Sequence, residues 1–508
     1  MRRLIIRQTT SVDGDCPRSS VYGLRSTVEK TVEKTVDRGQ WTVDAQRQPK
    51  RLLGIAAFSF IAGLAIVSLG AQASYIYAIQ GARIVPVSGA NIDTGTVVIR
   101  DGLIAAVGAK VAVPPGAQVI PGKGLTVYPG LIDMGTATGI DMPAVPRAEN
   151  PQTTEEVERV KASYLLRAQF RAADYVNPTT AALARVAAAG ITSVLATPSG
   201  DVIRGQSALI NTALPPDEPQ IGAVADERKG AMIVRTPVAL HITFSERPAG
   251  GNAYPNSLMG VIAYVRQAFI DAEHYRVSRT YAEATTNGGS RAAAIRAHYE
   301  PALEALQPAL AGRLPVAFRG QSAREILRAL DMAKSFKLDP IITDGREADQ
   351  VAADLKAAGA RVIVSLNFPT RPQTLAPDAD EPLRTLRERA NAPKVGAALD
   401  AAGVTFAFES AGLTDPKDFI KNAAKAVQTG LSREDAIRAL TLHAATIAGA
   451  ADRLGSLEAG KMANVLVTEG DLFDEKMTIK HVFVEGRPVN LDLPPDRSNR
   501  RPGSDGGN

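Results

Sequence analysis

The chain has 508 residues, of which 45% are hydrophobic and 5% aromatic. This length and apolar content predict a large globular protein of one or two domains and exclude a chain that is disordered throughout. The net charge is +5, but residues 1–51 carry 11 of the 58 Lys and Arg and 6 of the 53 Asp and Glu, which leaves 47 of each sign elsewhere. Because the rest of the chain is electrically balanced and has no basic run interleaved with aromatics, we expect no nucleic-acid partner.

Residues 51–73 have the layout of a secretory signal peptide. Lys50 and Arg51 precede an apolar run at 52–70, and small residues at 71 and 73 provide a cleavage site before Ser74. The run of about 19 residues also meets the length that a membrane span needs, so an uncleaved anchor is the alternative. We therefore predict a periplasmic or secreted protein that contacts a membrane only through an uncleaved signal.

Both ends of the chain are predicted to lie outside the folded part. Residues 1–50 form a non-structural extension ahead of the signal, which suggests that translation starts later than Met1. Cys16 and Trp41, the only residues of their kinds, lie in this extension. The exported protein would thus have no disulfide and would depend on its apolar core. The tail at 494–508, rich in Pro, Gly, Arg and Asp, is predicted to be disordered.

The segment 74–130 reads as short strands separated by Gly, Asn and Asp turns. Its clearest strands are 82–87, 95–100 and 103–108. A second β-rich segment, 455–493, contains apolar runs at 463–467 and 479–484. We expect these two segments to combine into one small β-sandwich domain built from both ends of the exported chain.

Between them, residues 131–454 alternate strands with helices, which predicts an α/β fold of the (β/α)₈ TIM-like barrel type. The capping pair Ser322 and Glu325 opens one of the helices, and Ser432 another. Residues 246–312 are mostly helical and are interpreted as an insertion or a lid over the mouth of the barrel. The predicted barrel strands are 314–319, 340–344, 361–366 and 403–408.

Three sequence motifs resemble those of a known family. The sequence YPGLID at 128–133 resembles the end of the first barrel strand in imidazolonepropionase-like amidohydrolases. ALT at 439–441 and GSLEAGKMA at 455–463 are similar to the C-terminal signature of that family. The resemblance to the amidohydrolase superfamily implies a barrel between two β segments and hydrolysis of carbon–nitrogen bonds other than peptide bonds. In such enzymes one or two divalent metals lower the pKa of a bound water and polarise the scissile carbonyl.

The metal-binding residues of the family are missing here. The resemblance places Gly135 and Ala137 at the His-x-His pair, Arg319 and Asp344 at the two later histidines, and Ala411 at the final aspartate. We therefore predict that the usual metal site is lost and that no cofactor is bound. Zinc or another divalent metal is expected only if these placements are wrong.

Five residues are predicted to meet at the barrel mouth: Asp133, Arg319, Asp344, Glu409 and Ser410. They are candidates for catalysis or for binding a small polar ligand, with the Arg319 guanidinium replacing the charge of the metal. Alternatively they form a buried network that fills the vacated metal site and touches no substrate. A carboxylate site for Mg²⁺ from Asp133, Asp344 and Glu409 is disfavoured by the neighbouring arginine.

The histidines at 241, 274, 298, 443 and 481 have no ligand spacing, and each is predicted to be a core or surface residue. The favoured function is an exported, metal-free binding or partner subunit, a pseudoenzyme that acts beside a related amidohydrolase. The alternative is a hydrolase acting on a carbon–nitrogen bond of a small amide or cyclic substrate, with a carboxylate as general base.

Overall fold

The computed structural model describes residues 75–143, 153–156, 165–178, 181–213, 230–244, 254–287, 299–376, 378–410 and 412–493. All of them belong to one compact unit, Gly70–Asn508. The predicted extension, signal and C-terminal tail lie outside the described residues. Within the described ranges, no helix is both long and apolar enough to cross a membrane.

The strands fall into three groups along the chain. The first group is β1 (Ile76–Ile84), β2 (Ile92–Arg100), β3 (Leu103–Gly108), β4 (Gln118–Pro121) and β5 (Leu125–Pro129). The second is β6 (Leu131–Thr136), β7 (Ile191–Ala196), β8 (Ile203–Gln206), β9 (Ala208–Asn211), β10 (Ile233–Arg235), β11 (Leu240–Thr243), β12 (Val316–Arg319), β13 (Pro340–Thr343), β14 (Arg361–Ser365) and β15 (Phe406–Glu409). The third is β16 (Val465–Glu469), β17 (Thr478–Val484) and β18 (Arg487–Pro488).

The helices lie mainly between strands of the second group. They are α1 (Ala181–Ala188), α2 (Leu258–Asn287), α3 (Pro301–Leu310), α4 (Ala323–Phe336), α5 (Ala352–Ala357), α6 (Leu383–Asn391), α7 (Val395–Ala401), α8 (Asp418–Gln428), α9 (Arg433–Leu440) and α10 (Leu442–Ile447). The Ser322 hydroxyl accepts from the N–H of Glu325, whose carboxylate accepts from the N–H of Ser322, so the predicted capping box is present at the start of α4.

The first and third groups form one eight-stranded sheet, in the order β18-β17-β16-β5-β1-β2-β3, with β4 paired to β1. The two ends of the described chain meet where β16 pairs antiparallel with β5, with Val465 opposite Pro129. Ile79, Val97 and Phe483 share an apolar cluster on this sheet. The predicted β-sandwich is not confirmed, because these strands form a single hydrogen-bonded sheet.

The second group forms a TIM-barrel-like α/β body from two mixed sheets. Their orders are β10-β9-β7-β6 and β15-β14-β13-β12-β11-β8. β11 to β15 are successive parallel neighbours, as predicted for βα units. Ser207 links the sheets between β8 and β9, and its N–H donates to Ala239 O at 2.9 Å. No ladder joins β15 to β6 among the described strands, so the α/β fold is confirmed but a closed (β/α)₈ barrel is not.

The helical segment after β11 packs beside this body. Phe269 of α2 packs on Phe336 of α4, with ring centroids 5.1 Å apart, and Arg266 Nη1 donates to Ser335 Oγ at 3.4 Å. Helix α4 starts at the mouth, directly after β12, so its last residue, Phe336, lies at the far end. The middle of α2 therefore lies on the flank of the α/β body, beside the last turn of α4.

Candidate functional site

Successive side chains of a strand point to opposite faces, and this alternation places the candidate residues. Ala317 and Ala407 belong to the apolar cluster inside the barrel. Arg319 and Glu409 lie two residues further along the same strands and therefore on the same inner face. Both are the last residues of their strands, so their side chains enter the carboxyl-terminal mouth, where barrel enzymes carry out their chemistry.

The mouth contains a cavity of about 580 Å³. All five candidate residues line it, and we call it the mouth cavity. They are Asp133, Arg319, Asp344, Glu409 and Ser410. The structure thus brings together every candidate that the sequence identified.

Asp344 is held by two arginines. Its Oδ2 accepts from Arg319 Nε at 3.1 Å and Nη2 at 2.9 Å, and its Oδ1 accepts from Arg346 Nε at 2.8 Å. Gln321 Nε2 also donates to Oδ2, at 2.5 Å. The backbone of Asp344 has a φ of 67°, a left-handed conformation that Asp tolerates better than most residues. Both carboxylate oxygens are thus committed to cations of the chain itself.

Glu409 fills the space beside Gly135. Its Oε1 accepts from the N–H of Asp344 at 2.9 Å. A Cβ built on Gly135 would overlap with Oε2 of Glu409. Burial, together with the negative charges of Asp344 and then Asp133, raises the pKa of the Glu409 carboxyl well above its usual value. A side chain at 135 and the present position of Glu409 therefore exclude each other.

Asp133 is the second carboxyl of the site whose pKa is raised. It is only 2% exposed, and its Oδ1 accepts from the N–H of Ser410 at 2.8 Å and of Gly135 at 3.1 Å. Burial raises the pKa of Asp133 to about 6, although the hydrogen bonds from Ser410 and Gly135 oppose the rise. Ser410 contributes mainly by fixing this carboxyl.

Sequence reasoning missed two residues of the cavity, Arg204 and His241. Arg204 lies on β8, and its Nε is buried without a hydrogen-bond partner among the described residues. Burial, and then the positive charge of Arg319, lower the pKa of Arg204. The one available signal was a charged residue between the apolar pairs at 202–203 and 209–210.

His241 is a buried residue of a strand, as predicted, but its place in the mouth cavity was not expected. It lies on β11 opposite Gly205 and lines the mouth cavity. It is 4% exposed, and its Nε2 has no hydrogen-bond partner among the described residues. Burial and the charge of Arg204 lower the pKa of His241 to about 3, so its imidazole is neutral at neutral pH. Of the other histidines, 274 is exposed, 443 and 481 are half-buried, and 298 lies outside the described residues.

These residues do not fit a divalent metal ion. Gly135 and Ala137 have no side chain that ligates, Arg319 is a cation, and Asp344 is already paired. Within the described ranges, no group of three His, Cys, Asp or Glu side chains is arranged to hold a metal. The guanidiniums of Arg319 and Arg204 would repel a second cation in the same cavity. The predicted aspartate replacement at Ala411 lies outside the described residues.

Comparison with known proteins agrees with the motifs. A sequence profile of the Amidohydrolase family matches residues 333–489, and no curated protein matches the chain. An amidohydrolase from Thermotoga maritima MSB8 has a similar structure, with a TM-score of 0.63 and 24% identity, over 82% of this chain and 99% of that one.

Two further structures are more distant, and their TM-scores below 0.5 support no argument. A putative prolidase from Bifidobacterium longum has a TM-score of 0.44 and 17% identity over 82% of this chain and 94% of that one. The ochratoxinase of A. niger has a TM-score of 0.45 and 15% identity over 82% and 95%. The family match over 333–489, with the fold shared with the Thermotoga maritima protein, confirms the predicted resemblance of this chain to the amidohydrolase superfamily.

Proposed function

We propose that the mouth cavity binds a small polar ligand without a metal ion, so that the protein acts as a binding or partner subunit and not as a metal-dependent hydrolase. The observation that carries this proposal is the position of Glu409. Its carboxyl fills the space where the family has a metal-ligating side chain, at Gly135. The cavity volume of about 580 Å³ lies in the range of small-molecule sites, about 300–1,000 Å³.

Arg319 supplies the fixed charge that such a site needs. A guanidinium stays protonated at any working pH and presents donors in a planar fork, so it can orient a ligand as well as attract it. The Arg319 side chain is 48% exposed, although it is paired with Asp344. It therefore remains accessible to a ligand that enters the mouth.

Metal binding is the first test. The full chain, purified without chelator or affinity metal, would be dialysed against zinc and then against manganese, and its metal content measured by elemental analysis. We expect far less than one equivalent per chain. About one equivalent that disappears in Asp344→Asn would contradict the proposal.

A ligand screen by thermal unfolding is the second test. Compounds that stabilise the parent should not stabilise Arg319→Met, whereas the matched control Arg384→Met should respond like the parent. Arg384 is a suitable control because its side chain is 75% exposed and lies outside the mouth cavity. Equal stabilisation of Arg319→Met and the parent would show that the ligand binds elsewhere.

The raised pKa values of Glu409 and Asp133 favour a second candidate, a metal-free hydrolase of a small amide, lactam or cyclic substrate. A carboxylate with a pKa near the working pH can take the proton of an attacking water and return it to the leaving nitrogen. Arg319 would stabilise the oxyanion that forms on the carbonyl. In a screen of lactams and cyclic imides, Glu409→Gln and Arg319→Ala should then abolish turnover. If both variants hydrolyse like the parent, this mechanism is wrong.

Export and partnership also belong to the proposal. The signal-like segment 51–73 supports release of a mature chain that begins at Ser74. N-terminal sequencing of the exported product tests this, and a product that retains Met1 would contradict it. Affinity purification from a native envelope extract tests for a related amidohydrolase partner. Recovery of no such hydrolase would count against the partner version.

A further inference from the structure

We infer that the ligand of the mouth cavity carries a carboxylate group, which binds between Arg204 and Arg319. This inference rests on the proposed function and names the chemical class of its ligand. It depends on which charges of the cavity are already satisfied within the chain and which are not.

Each of the three carboxyls of the cavity already accepts hydrogen bonds from groups of the chain. Asp344 is shared by Arg319 and Arg346, and Asp133 accepts two backbone N–H groups. Glu409 accepts the N–H of Asp344, and burial together with the charges of Asp344 and Asp133 raises the pKa of its carboxyl well above the usual value. Among the described residues, none of these three carboxyls has a hydrogen bond or an ion pair with Arg204.

The two guanidiniums keep donors that are not used. Arg204 Nε is buried without an acceptor among the described residues, and the charges of Glu409 and Asp201 act on this guanidinium without a hydrogen bond to its Nε. Arg319 uses Nε and Nη2 on Asp344, which leaves its Nη1 without a hydrogen bond to a described residue. A buried donor without an acceptor is unfavourable, and an anion placed between the two arginines would remove that deficit.

Neighbouring groups add neutral donors at the same place. Arg204 precedes Gly205, which pairs with His241 across the β8–β11 ladder. Nε2 of His241 has no hydrogen-bond partner in the described part of the chain, and the side chain is 4% exposed and lines the cavity. In its Nε2–H tautomer this neutral imidazole donates to an anion. Thr343, opposite Arg319 in the β12–β13 ladder, also lines the cavity and provides a hydroxyl.

A carboxylate fits this arrangement better than a phosphate. Its two coplanar oxygens match the paired donors of a guanidinium. A phosphate dianion would bring a second negative charge close to the carboxyls of Asp133 and Asp344. At the same ionic strength, we therefore expect carboxylates to bind more tightly than inorganic phosphate.

Calorimetric titration of the full chain tests the inference with acetate, propionate and benzoate, their amides acetamide, propionamide and benzamide, and inorganic phosphate. We expect at least one acid to bind at least tenfold more tightly than its own amide and than phosphate. Arg204→Met should weaken that acid at least tenfold, Arg204→Lys should retain part of the affinity, and Arg384→Met should match the parent. Circular dichroism checks that each variant is folded; if Arg204→Met is not, Arg204→Lys and the acid–amide comparison still decide.

Three outcomes would overturn the carboxylate assignment: amides that bind as well as acids, phosphate that binds more tightly than every acid, or no binding in the whole series. None of these changes the metal content, so a failure here stays separate from a failure of the proposed function. Uptake of one metal equivalent would instead remove the metal-free site on which both depend.

Discussion

Replacing Asp133 by Asn measures how much free energy of unfolding the protein loses when this buried carboxyl ionises. The amide oxygen of Asn can accept the same N–H groups of Ser410 and Gly135 that the carboxyl accepts now. The side chain is 2% exposed and nearly the same size in both forms, so packing is preserved. The substitution therefore removes the titrating charge of Asp133 and, with it, the part of the electrostatic effect by which this charge raises the pKa of Glu409.

The size of the effect follows from the displaced pKa. Burial raises the pKa of Asp133 from 3.8 to about 6. A carboxyl that binds its proton more tightly in the folded state stabilises the fold fully below pH 3.8, and this contribution is lost as the pH rises through 6. Since a tenfold change in proton affinity corresponds to about 1.36 kcal/mol, the loss amounts to about 3 kcal/mol. Asn does not titrate and has no such loss. The free energy of unfolding of Asp133→Asn, relative to that of the parent, should therefore increase by about 3 kcal/mol between acidic and mildly alkaline pH.

Urea unfolding followed by circular dichroism at pH 4, 5, 6, 7 and 8 measures this difference. The free energy of unfolding of Asp133→Asn minus that of the parent should rise between pH 4 and 7 and then level off. Asp452→Asn, at an exposed position, is the control and should differ from the parent by a constant amount. If the difference for Asp133→Asn is also constant across this range, the carboxyl has no raised pKa and the reasoning fails.

Three further substitutions test how the fold is held, each by its unfolding midpoint. Gly205→Ala should cost about 2 kcal/mol or more, because φ is 118° and a Cβ would lie 2.5 Å from Phe170 O; an unchanged midpoint would contradict this. Ser322→Ala should cost about 1 kcal/mol by removing the cap of α4, and Ser322→Asn should restore most of it. Phe269→Ala should cost about 3–5 kcal/mol yet leave ligand binding intact; loss of binding in a folded variant would contradict the flank position of α2.

Local sequence patterns predicted the elements whose signals are local. The strands 103–108 and 361–366 agree with β3 and β14 within one residue, because each is a short apolar run bounded by turn residues. Helix α4 was predicted from its capping box. The pairing of β16 with β5 into one sheet joins segments from opposite ends of the chain, so no local pattern distinguishes it from a sandwich. The sequence likewise contains no local signal for how β15 lies relative to β6.

The residues of the site also divide into those that the sequence could place and those that it could not. Arg319, Asp344 and Glu409 could be placed because they end predicted parallel strands, and such ends meet at one edge of a sheet. Arg204 and His241 could not, because they lie on β8 and β11, an antiparallel pair whose register shifts beside them. A register shift changes which face a side chain occupies, and the sequence alone does not reveal it.

The charges of the mouth explain why the changes from the family pattern occur together. Without a metal, Asp133, Asp344 and Glu409 would repel one another in a buried cavity. Arg319 and Arg346 pair with the carboxylate of Asp344, and the raised pKa of Glu409 favours the neutral form of a second carboxyl. The two arginines thus offset part of the negative charge of the mouth. Among the described residues Arg204 forms no ion pair with these carboxyls, and in our proposal the ligand supplies a negative charge beside it.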